Sequence, residues 1–215
     1  GAWLGFGVSL LCCGVFAIQW NFRRMISVLT GIVLTTLYLQ TLPPVQLRLD
    51  SLKSDIQNYQ SGNSYSSTGA RLDLWQRSYE LAKQQPIFGV GPGNFKSALA
   101  PKIEAKPYLA EFSHAHSQYF DTLANAGFAG LSGLLLSFLG PLYLFWHKVR
   151  RRTGWARSYA LQGVGLIICS MIASLTQPLY AHNISVIFYL ICLIVFWSLS
   201  DSAYDQVAQN TDFNK

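Results

Sequence analysis

Five apolar runs, each about as long as a bilayer is thick, constrain this chain more than any other feature of its sequence. They are Gly1–Trp20, Met25–Leu42, about Asp121–Trp146, Ser158–Tyr180 and Ile184–Ser200, and about 20 apolar residues suffice for a helix to cross the hydrocarbon core. None holds a lysine, arginine or glutamate, and their one aspartate, Asp121, lies at an edge. Charged residues make up only 12% of the chain, against roughly 25% in soluble domains. The expected fold class is an all-α polytopic membrane protein with about five transmembrane helices and a large helical loop between the second and third.

Orientation follows from the short connections, because lysine and arginine beside a span are retained on the cytoplasmic side. NFRRM (21–25) and HKVRRRTGWAR (147–157) are expected inside, which puts the long loop and the short turn at 177–183 outside. The expected divisions are two spans in 1–44, the loop at 45–118, three spans in 119–200 and a cytoplasmic tail at 201–215. The net charge of +6 reads as topology and contact with anionic membrane lipids, not as nucleic-acid binding. Cys12, Cys13, Cys169 and Cys192 all fall inside expected spans, so neither a disulfide framework nor a metal site is implied. Gly1 stands within an apolar run with no charged flank, and the expectation is the C-terminal part of a longer polytopic protein.

The loop carries too many large apolar residues for a disordered tether. Leu49, Leu52, Ile56 and Tyr59 recur at helical spacing after Pro43 and Pro44, and a flexible stretch follows at 60–70. A second helix is predicted from Arg71 to about Gln84, capped by Thr68, with Leu72, Trp75, Tyr79 and Ala82 on one face. Pro86 ends it. PIFGVGPGNF (86–95) reads as a tight turn that brings the loop helices together, not as a nucleotide site, since no strand precedes it and no Lys-Ser or Lys-Thr follows. A short helix is predicted over Lys96–Ala105, and the third apolar helix starts near Ser113–Ser117. The loop is expected to form a small cap that packs on the spans.

Because the spans hold so little charge, chemistry is sought in the loop and at its junction with the third span. His116 can take a proton from an attacking hydroxyl near neutral pH, and in the first turn of a helix it would stand beside unsatisfied N–H groups that favour a phosphate. A polar residue at a water interface is the other reading, and chemistry alone leaves both open. His114 would point away from His116 on a helix and to the same side on an extended segment. It could support the site, and a metal shared by the two lacks a third ligand with suitable spacing. Arg71 suits bidentate recognition of a phosphate or pyrophosphate, or is an ordinary surface arginine. Arg77, Lys96, Lys102 and Lys106 add positive potential, or are individually solvated charges. His182, near the outer membrane face, could line the same cavity but is read first as interfacial packing, and Trp20, Trp146, Trp155, Tyr180 and Trp197 as membrane-interface anchors.

HSQYFDTLANAGFAG has the form histidine, then asparagine, serine or glutamine, nine residues, and Gly-x-x-Gly, realised as His116, Ser117, Gly127 and Gly130. With the upstream loop segment containing Gly69-Ala70-Arg71, it resembles the bacterial O-antigen ligase family, within a superfamily that also holds O-antigen polymerases and protein O-oligosaccharyltransferases. The resemblance covers nearly the whole chain. It implies glycan transfer from undecaprenyl diphosphate to the lipid A-core acceptor at the periplasmic face of the inner membrane, without metal, cofactor or ATP. On that resemblance His116 and Arg71 are the catalytic residues; from their own chemistry, His114, Ser117, Arg77 and Lys96 are expected to contribute to substrate binding. A second essential arginine of the family would fall before Gly1. The rival of another class is a transporter or flippase domain, against which the lack of buried charge in the spans counts.

Overall fold

The computed structural model describes residues 26, 30, 31, 34 and 37–212, and no strand occurs among them. The expected first span, most of the second, the NFRRM connection, and Cys12, Cys13 and Trp20 lie outside the described residues. Six helices follow residue 42: α1 Pro43–Gln60, α2 Ser67–Gln84, α3 Phe95–Ile103, α4 Gln118–Arg151, α5 Gly154–Ala173 and α6 Asn183–Asp212, with 3-10 turns at Pro107–Glu111 and Leu179–Ala181. They divide between two compact units: Thr30–Leu134 with Leu175–Pro178, and Leu135–Ser174 with Leu179 onward.

In the loop unit, Pro43 opens α1 instead of merely stopping what precedes it. It sits at the first helical position, where a missing N–H costs no intrahelical bond. No residue of α1 is buried; Leu52 and Tyr59 are half-buried, whereas Leu49 and Ile56 face out. The seam with α2 is partly polar, with the Tyr59 hydroxyl donating to Asp73 (3.3 Å).

Helix α2 starts earlier than its sequence suggests. Ser66, not Thr68, is the cap, its hydroxyl accepting from the Gly69 N–H at 3.0 Å and satisfying one of the orphan donors of the first turn. The buried face also differs from the predicted one: it runs through Ala70, Asp73, Leu74, Ser78, Leu81 and Ala82, while Tyr79 is exposed. Polar members disguise that stripe. Ser78 lies in it because its hydroxyl donates back to the Leu74 carbonyl (2.8 Å), and Asp73 because Lys106 Nζ meets both its oxygens (2.6 and 2.7 Å) and Tyr108 donates to it. Leu74, Leu81, Phe95, Leu99, Leu109, Ala115 and Ala124 then form one core, so the loop residues and the start of α4 close an interior of their own.

The glycine-rich turn does something other than join loop helices. Helix α4 is broken at Gly127 (φ 61°, ψ −158°), which leaves carbonyls before the break and N–H groups after it without helical partners. The turn supplies them: the Val90 and Gly91 N–H groups donate to the Ala124 and Asn125 carbonyls (2.9 and 3.0 Å), and the Phe128 and Ala129 N–H groups donate to the Pro86 and Ile87 carbonyls (2.8 and 3.1 Å). Contact is too close for a side chain on either glycine that meets there. A Cβ on Gly127 would lie 2.5 Å from the Ile87 carbonyl, and one on Gly89 2.4 Å from the Ala124 oxygen.

The other unit contains the rest of α4 with α5 and α6. Helices α4, α5 and Asn183–Gln206 of α6 are long and apolar enough to cross a membrane. They match the third, fourth and fifth expected spans, although α5 ends at Ala173 rather than near Tyr180. Phe145 lies directly on Gly163, where any Cβ would collide with its ring, and Phe138 packs on Tyr180 and Tyr189. Outward surfaces remain apolar: Ile184 is 83% exposed, Leu136 69% and Phe188 63%, as suits a helix whose solvent is lipid. At the basic end of α4, Lys148 is buried instead of solvated. Its ammonium is 2.9 Å from both Asp201 oxygens and 3.0 Å above the Trp197 ring, and Arg152 joins Asp201, Ser200 and the Tyr204 ring.

Candidate active site

The junction between loop and first apolar helix is built from α2 and residues 112–121. Helix α4 begins at Gln118, so His116 precedes the helix rather than occupying its first turn. Its backbone is left-handed, with φ 50°, and no other described non-glycine residue has positive φ. That conformation costs about 1–2 kcal/mol in an ordinary L-residue, and such outliers persist where their surroundings over-determine them. Here the neighbouring peptide is gripped from both sides: the Trp75 indole N–H donates to the Ala115 carbonyl (2.9 Å), and the Ala115 N–H donates to Asp121 Oδ1 (3.1 Å). Trp75 stacks on Phe120 with ring centroids 5.2 Å apart.

The turn brings the two histidine side chains together, 4.4 Å between ring centroids and edge to face. The His116 N–H points to His114 Nδ1 at 3.4 Å, and Phe112 closes another side of the His116 ring at 5.3 Å. The imidazole is half-buried, and its Nδ1 is sealed from solvent with no hydrogen-bond partner among the described residues. Burial first, then the charges of His114 and Arg71, hold its pKa below the usual histidine value, so the ring is neutral at pH 7.

Arg71 lies one helical turn before Trp75 and is half-buried, and its charge reaches His116. No hydrogen bond or ion pair engages its guanidinium among the described residues. Ser117 is buried beside His116, its carbonyl accepting the Asp121 N–H at 2.9 Å. His116, His114, Ser117 and Arg71 thus belong to one neighbourhood.

Arg77 and Lys96 do not. Arg77 donates twice to the Ala98 carbonyl (3.1 and 2.7 Å) and pairs with Glu80 (3.2 Å), which ties α2 to α3. Lys96 is exposed on α3. Lys106 is committed to Asp73, and Lys102 to Glu80 at 3.5 Å. Burial pushes the Asp73 carboxyl up, but hydrogen bonds from Lys106, Tyr108 and Ser64 outweigh it and hold the group below its usual range. The same network lifts the Tyr108 phenol to about 12, burial being the larger cause and the bond to Asp73 the next. Asp73 is the residue that sequence reasoning passed over entirely, and a carboxylate among apolar neighbours gives no periodic signal.

A polar junction with two histidines and an arginine unpaired among the described residues, leading into apolar spans, defines a helical membrane protein with its candidate chemistry in a loop. The sequence pattern of the O-antigen ligase family matches residues 1–135, and the chain belongs to that family. An uncharacterized protein of Haemophilus influenzae is 26% identical over 204 residues, which are 91% of this chain and 51% of that protein. The chain therefore spans about half the length of the curated relative it matches.

Proposed function

We propose that this chain forms part of a glycosyltransferase that moves O-antigen polysaccharide from undecaprenyl diphosphate to the lipid A-core oligosaccharide, at the periplasmic face of the bacterial inner membrane. One observation carries the reading: a neutral, half-buried imidazole is held in a left-handed turn beside a guanidinium with no ion-pair partner among the described residues. A base that must accept a proton near pH 7 needs the first, and a diphosphate leaving group needs the second.

His116 Nδ1 is buried, which leaves Nε2 to meet the acceptor hydroxyl. Nε2 takes the hydroxyl proton as the oxygen forms its bond to the anomeric carbon of the glycan. The bond from that carbon to the diphosphate oxygen breaks, and undecaprenyl diphosphate departs with the electron pair. Arg71 balances its growing negative charge. Direct displacement inverts the anomeric carbon, and no step calls on a metal. His114 and Ser117 flank the base and contribute to binding, whereas Arg77, paired with Glu80, and Lys96, exposed on α3, lie outside this neighbourhood and take no part.

The test is His116→Ala in the full-length protein. Attachment to lipid A-core is expected to stop, and lipid-linked polymer of full length to accumulate. Core bearing a single repeat would identify a polymerase of the same superfamily instead, loss of protein glycosylation would identify a protein O-oligosaccharyltransferase, and undiminished attachment would overturn the role of His116.

A further inference from the structure

We infer that Trp75 and Asp121 are positioning residues of this site, holding the Ala115 peptide from opposite sides so that His116 is presented in fixed relation to Arg71. The inference rests on the transfer reading above and extends it to two side chains that need not touch substrate. Ala115 is fully buried, and both of its backbone polar groups are taken by side chains, the carbonyl by Trp75 and the N–H by Asp121. The two come from different elements. Trp75 is in α2, one turn after Arg71, and Asp121 is in the first turn of α4.

Each is itself held. Trp75 lies flat on Phe120, with only 10° between the ring planes. The Asp121 N–H donates to the Ser117 carbonyl, and its own carbonyl accepts from the Asn125 amide at 3.0 Å. The indole N–H is thus the link between the helix bearing Arg71 and the turn bearing His116. Without it a left-handed histidine has every reason to relax, and displacement of a catalytic group by about 1 Å can cost on the order of 100-fold in rate.

The experiment compares Trp75→Phe, Asp121→Asn and Asp121→Ala with wild type and His116→Ala in the purified full-length protein, using lipid-linked glycan as donor. Trp75→Phe keeps the stacked ring and loses the N–H; Asp121→Asn keeps an oxygen acceptor and loses the charge. Trp75→Phe and Asp121→Ala are expected to lower kcat by about 10- to 100-fold with KM for the donor within about twofold. Asp121→Asn is expected to recover most of the rate. The acid limb of the Trp75→Phe profile should move up toward the ordinary histidine value as the ring loses its burial, with His114 and Arg71 the charged groups still facing it.

Wild-type kcat and an unmoved acid limb in Trp75→Phe would overturn the inference. So would Asp121→Asn as slow as Asp121→Ala, because the carboxylate charge and not the acceptor would then be what matters. Should Trp75→Phe fail to fold, the Asp121 pair decides alone. Full activity of His116→Ala would instead overturn the transfer reading itself.

Discussion

At the residue scale, His116 combines three properties that a surface histidine does not need: a left-handed backbone, a sealed Nδ1 and a depressed pKa. The last gives a pH prediction with a definite sign. Because the folded-state pKa lies below the ordinary value of about 6.5, the neutral base survives into mildly acidic solution. The rate of glycan transfer should therefore fall on an acid limb below that value, not at it. Removing the Arg71 charge should move the limb upward only part of the way, since burial is the larger cause. The same shift makes stability pH-dependent. The unfolded chain binds the proton first as pH falls, so the contribution is intact above about 6.5 and is lost through the folded-state pKa. A limb above the ordinary histidine value in purified protein would contradict this placement of the imidazole. The motif made His116 visible in the sequence. Its backbone conformation was not visible, because that depends on Trp75, which bonds the Ala115 carbonyl 40 residues further on, and on Asp121, which the sequence shows only as a charge at the edge of a span.

At the scale of elements, helix positions were legible and their faces were not. Pro86 and the apolar runs marked α2, α4, α5 and α6 well, because backbone breakers and long apolar stretches act locally. The inward face of α2 depends on partners for Asp73 and Ser78 that lie 33 residues away at Lys106 or within the helix itself, and apolar periodicity cannot register them. The glycines 89 and 127 show the same limit. The sequence marks one as part of a tight turn and the other as a motif residue, but not that the two meet where the 86–91 turn replaces the hydrogen bonds of a broken helix. This separates Gly127 from Gly93, which also has positive φ (80°) but open space around its absent side chain. Gly93→Ala should lose only the left-handed penalty, about 1–2 kcal/mol. Gly127→Ala adds a collision with the Ile87 carbonyl and endangers four backbone hydrogen bonds, for a total of about 3–5 kcal/mol. Unfolding of the detergent-solubilised protein should rank them in that order. Equal losses would mean that the turn does not depend on the break.

For the whole molecule, the side of the membrane that the loop occupies decides whether lipid-linked donor and acceptor can meet at His116. Basic residues crowd the C-terminal end of α4, at Lys148, Arg150, Arg151 and Arg152. Asp201 pairs with both Lys148 and Arg152 and offsets one of their two charges, while Arg150 and Arg151 are exposed at the helix end. Positive charge left uncompensated beside a span favours the cytoplasm, which supports the periplasmic placement of the loop proposed above. The loop's own basic residues do not weigh against this, because long loops translocate largely regardless of charge. Single cysteines test the orientation. Asn63 and Arg151 are both exposed, and the native cysteines, of which Cys169 and Cys192 are only half-buried, are first replaced by serine. In cells with a permeabilised outer membrane, Asn63→Cys should react with a membrane-impermeant maleimide, and Arg151→Cys should react only after the inner membrane is opened. The reverse pattern would place His116 in the cytoplasm, where a periplasmic transfer reaction could not use it.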